Sequence, residues 1–508
     1  MNLGSYISRM SLAQGLLVAF FVKLWLAWLL PMTGDEAYFV LWGRHLDYGY
    51  YDHPPMAGWM TWLQLLVSDH RVWLRMPGIL TELLIAWGLY ATLRRRDAER
   101  ARWLALLFTF SPLSLLFVFT LTDTGCMLFA GLSFLCAWQA AQARAEGRGQ
   151  GLGWAALAGA GLGLAFLSKY FAVFLGLAYL LYFFGVNRAA WRAGIVLVLV
   201  AIPFGLLNLQ WNYSHCWTNL LFNLVNRNRG EDEIRLAELL TYLGMMLYVV
   251  LPPILLALWR LRGRVAAQPA GVAEGLRLAR VVVLTGFLGF LFVSLRKSIG
   301  LHWVLWFYPM VLVLLWPLAR EGWQRLLGLV GWLSLAHAVI ICGLLALPNE
   351  AWKFNDKVQR QLLSAREAPA ILALARAQAG ELPLAAQGYT AASVLSYQVR
   401  EPVAVIGTGS KYARQDDFWM DFRAFDGKSM MVFLKRAEEV ATVARWFHAS
   451  HPLSVTYRGQ AYDFLVGEGF DYARYHDEVL VPVREDYYQF PDWLPKGQCL
   501  FIERYFGE

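Results

Sequence analysis

The chain is 508 residues long, 58% hydrophobic, 15% aromatic and only 16% charged, with a mean hydropathy of +0.42. That balance is too apolar and too poor in charge for a water-soluble protein and identifies an integral membrane protein. The net charge of +8 does not point to nucleic acid, because the basic residues sit in short clusters between apolar runs, where membrane topology selects them.

From the N-terminus, the first apolar run leads into Pro31-Met-Thr-Gly-Asp-Glu36 without a small-residue cleavage site, so it reads as a retained span. Runs long enough, or nearly so, to cross a bilayer follow at 11–31, 72–93, 101–121, 123–142, 151–167, 170–185, 190–208, 237–259, 278–295, 301–318 and 323–347. That makes about eleven transmembrane helices, with roughly 10 to 13 as the range because several runs are separated by only a few residues. Alternate connections carry arginine: Arg94-Arg95-Arg96 with Arg100, Arg144 and Arg148, Arg188 and Arg192, the group Arg260 to Arg280, and Arg320 with Arg325. These belong on the cytoplasmic side and put the N-terminus inside. The intervening connections then face outward: 32–71, Thr122-Asp123, Ser168-Lys169-Tyr170, 209–236 and Leu295-Arg-Lys-Ser298 leading to His302.

The outer connection 32–71 reads as two surface helices, Glu36 to Tyr48 and 56–67, separated by the Pro54-Pro55 stop, with Tyr38 and Trp42 as interface anchors. Connection 209–236, with Trp211-Asn-Tyr213, Asn223 and Asn226-Arg-Asn-Arg-Gly230, reads as a movable loop. After Pro348 the composition changes. Residues 349–508 read as a separate α/β domain, with helices at 353–378, 389–397 and 436–448 and strands at 402–406, 429–434 and 453–457. An odd span count places this domain outside. The resulting division is a transmembrane unit, 1–348, and an outer α/β unit, 349–508. Of the five cysteines, Cys126, Cys136 and Cys342 lie in apolar runs and read as small buried hydrophobes. Cys216 and Cys499 can pair only if their segments end on the same side.

The chemistry concentrates on the outer face. Asp35, in the acidic pair Asp35-Glu36, is placed to act as a general base on an acceptor hydroxyl or amine; capping of the surface helix by the same pair is the structural alternative. In Tyr51-Asp-His-Pro-Pro55, Asp52 with His53 can hold a divalent cation, or His53 can meet a phosphate; a turn with solvated polar residues explains the stretch equally well. Asp123 either caps the helix that follows or points into the same pocket as Asp35. Lys169, next to Tyr170, is either a lysine snorkelling to the interface or a ligand for lipid phosphate, and the same two readings apply to Arg296 and Lys297 beside His302 and Trp303. The glycines at 159–163 lie within a span and read as helix packing rather than a nucleotide loop. No cluster has structural-zinc spacing, and there is no nucleophile elbow.

Taken together, Asp35-Glu-Ala-Tyr38, Tyr50-Tyr-Asp-His-Pro-Pro55, Thr122-Asp123, Ser168-Lys-Tyr170, Leu295-Arg-Lys297 with His302-Trp303, and Tyr412-Ala-Arg-Gln-Asp-Asp-Phe-Trp419 resemble the bacterial polyprenyl-phosphate-sugar-dependent glycosyltransferases. These belong to the protein O-mannosyltransferase-like family 39 and are related to the lipid A aminoarabinose transferases. The resemblance implies a mainly α, polytopic GT-C fold in the bacterial inner membrane with a C-terminal periplasmic α/β domain. It implies transfer, with inversion, from a polyprenyl-phosphate sugar to a lipid, glycan or protein acceptor on the periplasmic side, with no nucleotide cofactor. Asp35 is then the base with Glu36 beside it. Tyr38, Asp52, His53, Asp123, Lys169, Tyr170, Arg296, Lys297 and His302 are the candidate substrate ligands, and Asp52 and His53 the candidate metal ligands. Tyr38 and His53 stand where the aminoarabinose transferases carry Arg and Lys. The competing reading is a transporter or flippase of a lipid-linked sugar, which predicts ionisable residues near the bilayer midplane and paired repeats rather than charges at one rim.

Overall fold

The computed structural model describes residues 3–229, 233–435, 437–491, 493–495 and 497–507; Gly230 of the Asn-rich connection and Arg436 at the start of the expected helix 436–448 lie outside the described residues. Each apolar run is helical. Among the described residues, six helices are long and apolar enough to cross a membrane: Leu12–Leu29, Arg71–Leu93, Thr122–Ala145, Arg188–Ser214, Ala270–Ser294 and Arg320–Ala346. Two bent pairs bring that number to eight if each is one span: Ala98–Thr109 with Pro112–Val118, bent by 64°, and Leu236–Val250 with Pro252–Leu261, bent by 79°. Both bends fall at proline, which removes a backbone donor and crowds the preceding turn; at the second, Leu251 also takes a positive φ of 64°. The three remaining runs are shorter apolar helices, Leu152–Phe166, Tyr170–Val186 and Leu301–Val313.

Large apolar side chains such as Phe21, Trp25, Trp87, Leu199, Phe292 and Val339 are exposed on the outer faces of these helices, as a lipid-facing surface requires. Inside, Lys23 and Glu82 form a buried ion pair that joins the first two long helices; neither residue stands out in the sequence reading. A charge in the hydrocarbon region is costly unless it is paired, and here each residue supplies the other's partner.

The surface helices of the first outer connection are Gly34–Arg44 and Met56–Leu65. They cross closely at Gly43, where a side chain would come within 2.8 Å of the Trp62 backbone nitrogen. Connection 209–236 is not an open loop. The preceding helix runs on to Ser214, and Thr218–Leu224 forms a further helix. Its asparagine amides are engaged: Asn219 donates to the Tyr50 carbonyl at 2.7 Å, Asn223 to the Asp52 carbonyl at 3.1 Å and Asn226 to the Tyr487 carbonyl at 3.1 Å.

The C-terminal part carries one five-stranded sheet: β1 Leu384–Ala386, β2 Val403–Val405, β3 Met430–Phe433, β4 Phe447–Tyr457 and β5 Gln460–Phe470, in the order β2-β1-β3-β5-β4. β1 runs parallel to β2 and β3, whereas β5 is antiparallel to β3 and β4. The expected helix at 436–448 is a correction. Among the described residues of that stretch only Val440–Ala444 is α-helical, and the chain enters β4 at Phe447. β4 is an edge strand, largely exposed and containing Pro452, so it lacks the alternation that marks a half-buried strand and tolerates a residue without an N–H. The hairpin to β5 turns through Arg458 and Gly459, both at positive φ, the geometry a two-residue connection needs.

Two cores flank the sheet. One packs the long helix Asp356–Ala379 and the helix Tyr389–Val399 against it. The other, built on Phe422, Phe470, Tyr475 and Phe501, also takes in Tyr51, Cys216 and Phe222 from the outer connections. Cys216 and Cys499 are joined by a disulfide, linking positions 283 residues apart.

Candidate functional site

A cavity of about 240 Å³ lies where the interhelical connections meet the C-terminal part, and a second of about 250 Å³ lies beside it. The first is polar, with Asp35, Asp52, His53, Lys169 and Arg227 in its wall. The second is mainly apolar, formed by Leu116, Phe119, Met127, Leu301 and Leu305. Asp35, Leu121, Asp123 and His302 line both, so these four side chains form the boundary between them.

Asp35 and Glu36 are neighbours with different fates. Thr33 caps the helix Gly34–Arg44, and Glu36, three residues on, closes a capping box by accepting from the Thr33 backbone N–H at 3.2 Å. The Glu36 carboxylate also takes a bidentate pair of bonds from Arg75, at 2.8 and 2.7 Å. Arg75 spends its other donors on the carbonyls of Ala27, Leu30 and Pro31, so all five guanidinium N–H groups are satisfied. Glu36 is therefore absent from the cavity wall and acts as a structural anchor, a correction to its expected place beside the base. Asp35, one position earlier on the helix, is exposed and lines both cavities. One Asp35 oxygen accepts a hydrogen bond from the Tyr389 hydroxyl at 3.2 Å.

The Asp52 loop is held from several sides. Tyr50 stacks on Trp42 with ring centroids 4.2 Å apart and donates its hydroxyl to the Trp42 carbonyl. The Tyr51 N–H donates to the Gln415 side chain at 2.6 Å, and the Gln415 N–H donates to the Tyr38 hydroxyl at 3.1 Å. Burial pushes the Asp52 carboxyl up to about 7, with the Asp35 charge adding to the shift and Arg227 opposing it. Among the described residues its Oδ1 is buried and meets no hydrogen-bond partner. His53 is held well below the usual imidazole range, first by its enclosure and then by the nearby charges of Lys169, Arg227 and His302, so it meets the cavity as a neutral ring. Asp52 and His53 are a two-ligand set at most. Among the described residues no group of three or more His, Cys, Asp or Glu side chains is placed to hold a metal ion, and these two do not by themselves make up a cation's shell.

Asp123, in the first turn of the helix Thr122–Ala145, points inward. It accepts two bonds from the Lys169 ammonium, at 2.8 and 2.7 Å, and lies 3.7 Å from His302 Nε2. Lys169 is thus turned into the protein, close to the rings of Phe171 and Trp303, and does not snorkel. Tyr170 is drawn elsewhere, donating to Asn208 at 2.8 Å. Arg296 and Lys297 do not line the polar cavity; Lys297 donates to the Arg227 carbonyl at 3.5 Å.

The structure brings together Asp35, Tyr38, Asp52, His53, Asp123, Lys169 and His302, and leaves Glu36, Tyr170, Arg296 and Lys297 outside. It also adds residues that sequence reasoning did not assign to the site. Arg227 lies 4.9 Å above the Trp303 ring, and Tyr389 and Tyr412 enter from the C-terminal part. Arg227 was discoverable as a base in an otherwise amide-rich outer connection. Tyr389 carries no local signal.

Comparison with known proteins follows the same lines. Residues 52–211 match the family described as dolichyl-phosphate-mannose-protein mannosyltransferase. A sequence relative, the lipid A galacturonosyltransferase RgtD of Rhizobium johnstonii, is 30% identical over 271 residues, which are 50% of this chain and 56% of that protein. The chain therefore spans little more than half the length of the curated relative it matches. Among solved structures, ArnT from Cupriavidus metallidurans bound to undecaprenyl phosphate superimposes with a TM-score of 0.63 at 16% identity, covering 89% of this chain and 97% of that one. Its apo state gives 0.59 at 15% identity, covering 90% and 98%. The chain is similar to bacterial GT-C glycosyltransferases, as its motifs indicated, and it shares the ArnT fold.

Proposed function

We propose that the protein is a glycosyltransferase that moves a sugar from a polyprenyl-phosphate donor to an acceptor at the periplasmic face of the inner membrane. In this reading all eleven apolar runs cross the bilayer, 1–348 is the transmembrane unit, and 349–508 stands outside as the periplasmic unit. The observation that carries it is the shared boundary between the apolar and the polar cavity. A donor that is hydrocarbon at one end and phosphate sugar at the other needs such a junction, with its reacting carbon at the join.

The isoprenoid units nearest the phosphate lie in the cavity of Leu116, Phe119, Met127, Leu301 and Leu305, and the phosphate and sugar lie beyond Asp123 and His302. The acceptor hydroxyl enters from water and attacks the anomeric carbon from the face opposite the phosphate. As the new carbon–oxygen bond forms, Asp35 takes the hydroxyl proton, and the bond from the anomeric carbon to the phosphate oxygen breaks. Polyprenyl phosphate departs with the bonding electrons, its charge met by Arg227, Lys169 and His302. The likeness to a lipid A galacturonosyltransferase and to an undecaprenyl-phosphate-bound ArnT supports a polyprenyl donor and a cell-envelope acceptor. Tyr38, Asp52 and His53 line the sugar side.

The test is to incubate purified protein in lipid nanodiscs with a panel of undecaprenyl-phosphate sugars (neutral hexose, hexuronic acid and aminopentose) and envelope lipid extract, then follow donor and product by mass spectrometry. Loss of one donor with a matching mass gain in an acceptor is expected. Survival of every donor unchanged in the presence of acceptor would overturn the reading.

A further inference from the structure

The helix Tyr389–Val399 belongs to the C-terminal part, yet it is seated on the helix that carries Asp35. At its start the two elements abut, since a side chain at Gly34 would lie 2.4 Å from the Thr390 methyl group. Along its length Val394 and Tyr397 pack against Met32, Ala37, Val40 and Leu74. At its far end the Tyr397 hydroxyl donates to the Asp69 carbonyl at 2.9 Å, and Arg400 reaches the Asp69 carboxylate at 2.9 Å. A helix fixed along its whole length leaves its first residue little freedom. That residue is Tyr389, whose ring packs on Tyr38 with centroids 5.2 Å apart and whose hydroxyl donates to Asp35 Oδ1 at 3.2 Å.

We propose that Tyr389 is a positioning residue for Asp35: its hydroxyl orients the carboxylate toward the cavity. The proposal rests on the reading of Asp35 as the base, and it makes the C-terminal part a component of the reaction centre rather than an appendage. The chemistry is consistent with that role. A hydrogen bond donated to one oxygen fixes the direction of the carboxyl plane. Burial, followed by the Asp35 charge, pushes the Tyr389 phenol up to about 12, so it remains a donor across the pH range in which the protein works. The bond leaves the second Asp35 oxygen available to an incoming hydroxyl.

The test uses full-length protein in nanodiscs and needs no substrate. Infrared difference spectra recorded at one fixed pH follow the carboxyl band that disappears in Asp35→Asn. In Tyr389→Phe, which keeps the ring and its packing, that band is expected to shift in frequency as its hydrogen bond is lost, with the thermal midpoint unchanged. Tyr397→Phe removes an interface hydrogen bond from the same helix and is expected to leave the band where it is. An unmoved band in Tyr389→Phe, or an equal movement in Tyr397→Phe, would overturn the proposal. Turnover that survives Asp35→Asn would instead remove the base assignment while leaving the infrared result intact, so the two ideas fail separately.

Discussion

Two ion pairs at the same end of the helical region, Glu36–Arg75 and Asp123–Lys169, look alike in composition and differ in use. Both carboxylates lie in the first turn of a helix, and both are bonded to a buried cation at 2.7 to 2.8 Å. Arg75 is wholly buried, and every one of its donors is consumed by Glu36 and by three carbonyls at the end of the first span. Such a pair ties the Asp35 helix to the membrane region and has nothing left to offer a ligand. Among the described residues the Lys169 ammonium hydrogen-bonds only to Asp123, and both side chains stand in a cavity wall beside His302 and Arg227. A saturated pair is scaffold, whereas a pair with unused donors facing a cavity is available for chemistry.

The sharpest way to break this comparison is at adjacent positions. Asp35→Asn is expected to lower transfer by about 10²- to 10⁴-fold, the usual worth of a general base, with the thermal midpoint unchanged. Glu36→Gln is expected to lower stability while the protein that remains folded turns over normally. Steady-state rates and melting curves on the two variants separate these outcomes, and equal activity losses would erase the distinction. Next, Arg75→Met leaves Glu36 buried without its cation and is expected to cost about 3–5 kcal/mol of stability, visible as loss of folded protein in detergent melts. Lys169→Met should act mainly on the departing phosphate, lowering kcat by about tenfold or more, the scale of one charge-assisted bond of about 1.5–3 kcal/mol. If Lys169→Met proves purely a folding defect, its pair too is scaffold.

Replacing Cys216 and Cys499 by serine removes a covalent link between the Arg227 connection and the C-terminal part. The expected loss is about 2–4 kcal/mol of stability, read from melts with and without reductant. A separate effect concerns pH. Asp52 lies near 7 when folded, above its unfolded value, so the folded protein holds the extra proton between the two. Its contribution lowers stability as pH rises from the ordinary carboxylate range to about 7, and the effect then levels off. Asp416, pushed to about 7 by burial and by Asp417, shares that window. Asp52→Asn should therefore flatten the dependence in part, and Asp416→Asn added to it should flatten it further.

How far the site was legible depended on whether a residue's partner was local. Asp35, Asp52, His53, Asp123, Lys169 and His302 could be read because each stands in a short polar interruption of an apolar chain, where a charge or imidazole needs a reason. Glu36 could not be separated from Asp35, because its partner Arg75 is 39 positions away. Tyr170, Arg296 and Lys297 were placed in the site because they neighbour residues that are in it, but Tyr170 is held by Asn208 and Lys297 by the Arg227 carbonyl. The Cys216–Cys499 pair was open in the sequence and was settled by contact between segments 283 residues apart.

By itself the sequence determined the class of the molecule, the positions of its apolar helices and the loops that hold its carboxylates. These depend on hydrophobic run length, proline and capping, which act within a few residues of the chain. Only the tertiary structure decided which carboxylate faces the cavity, which cations surround it, and that Tyr389, 354 residues from Asp35, donates a bond to it. Those outcomes rest on which buried donors and acceptors find each other once the helices pack, and no local pattern in the chain records that choice.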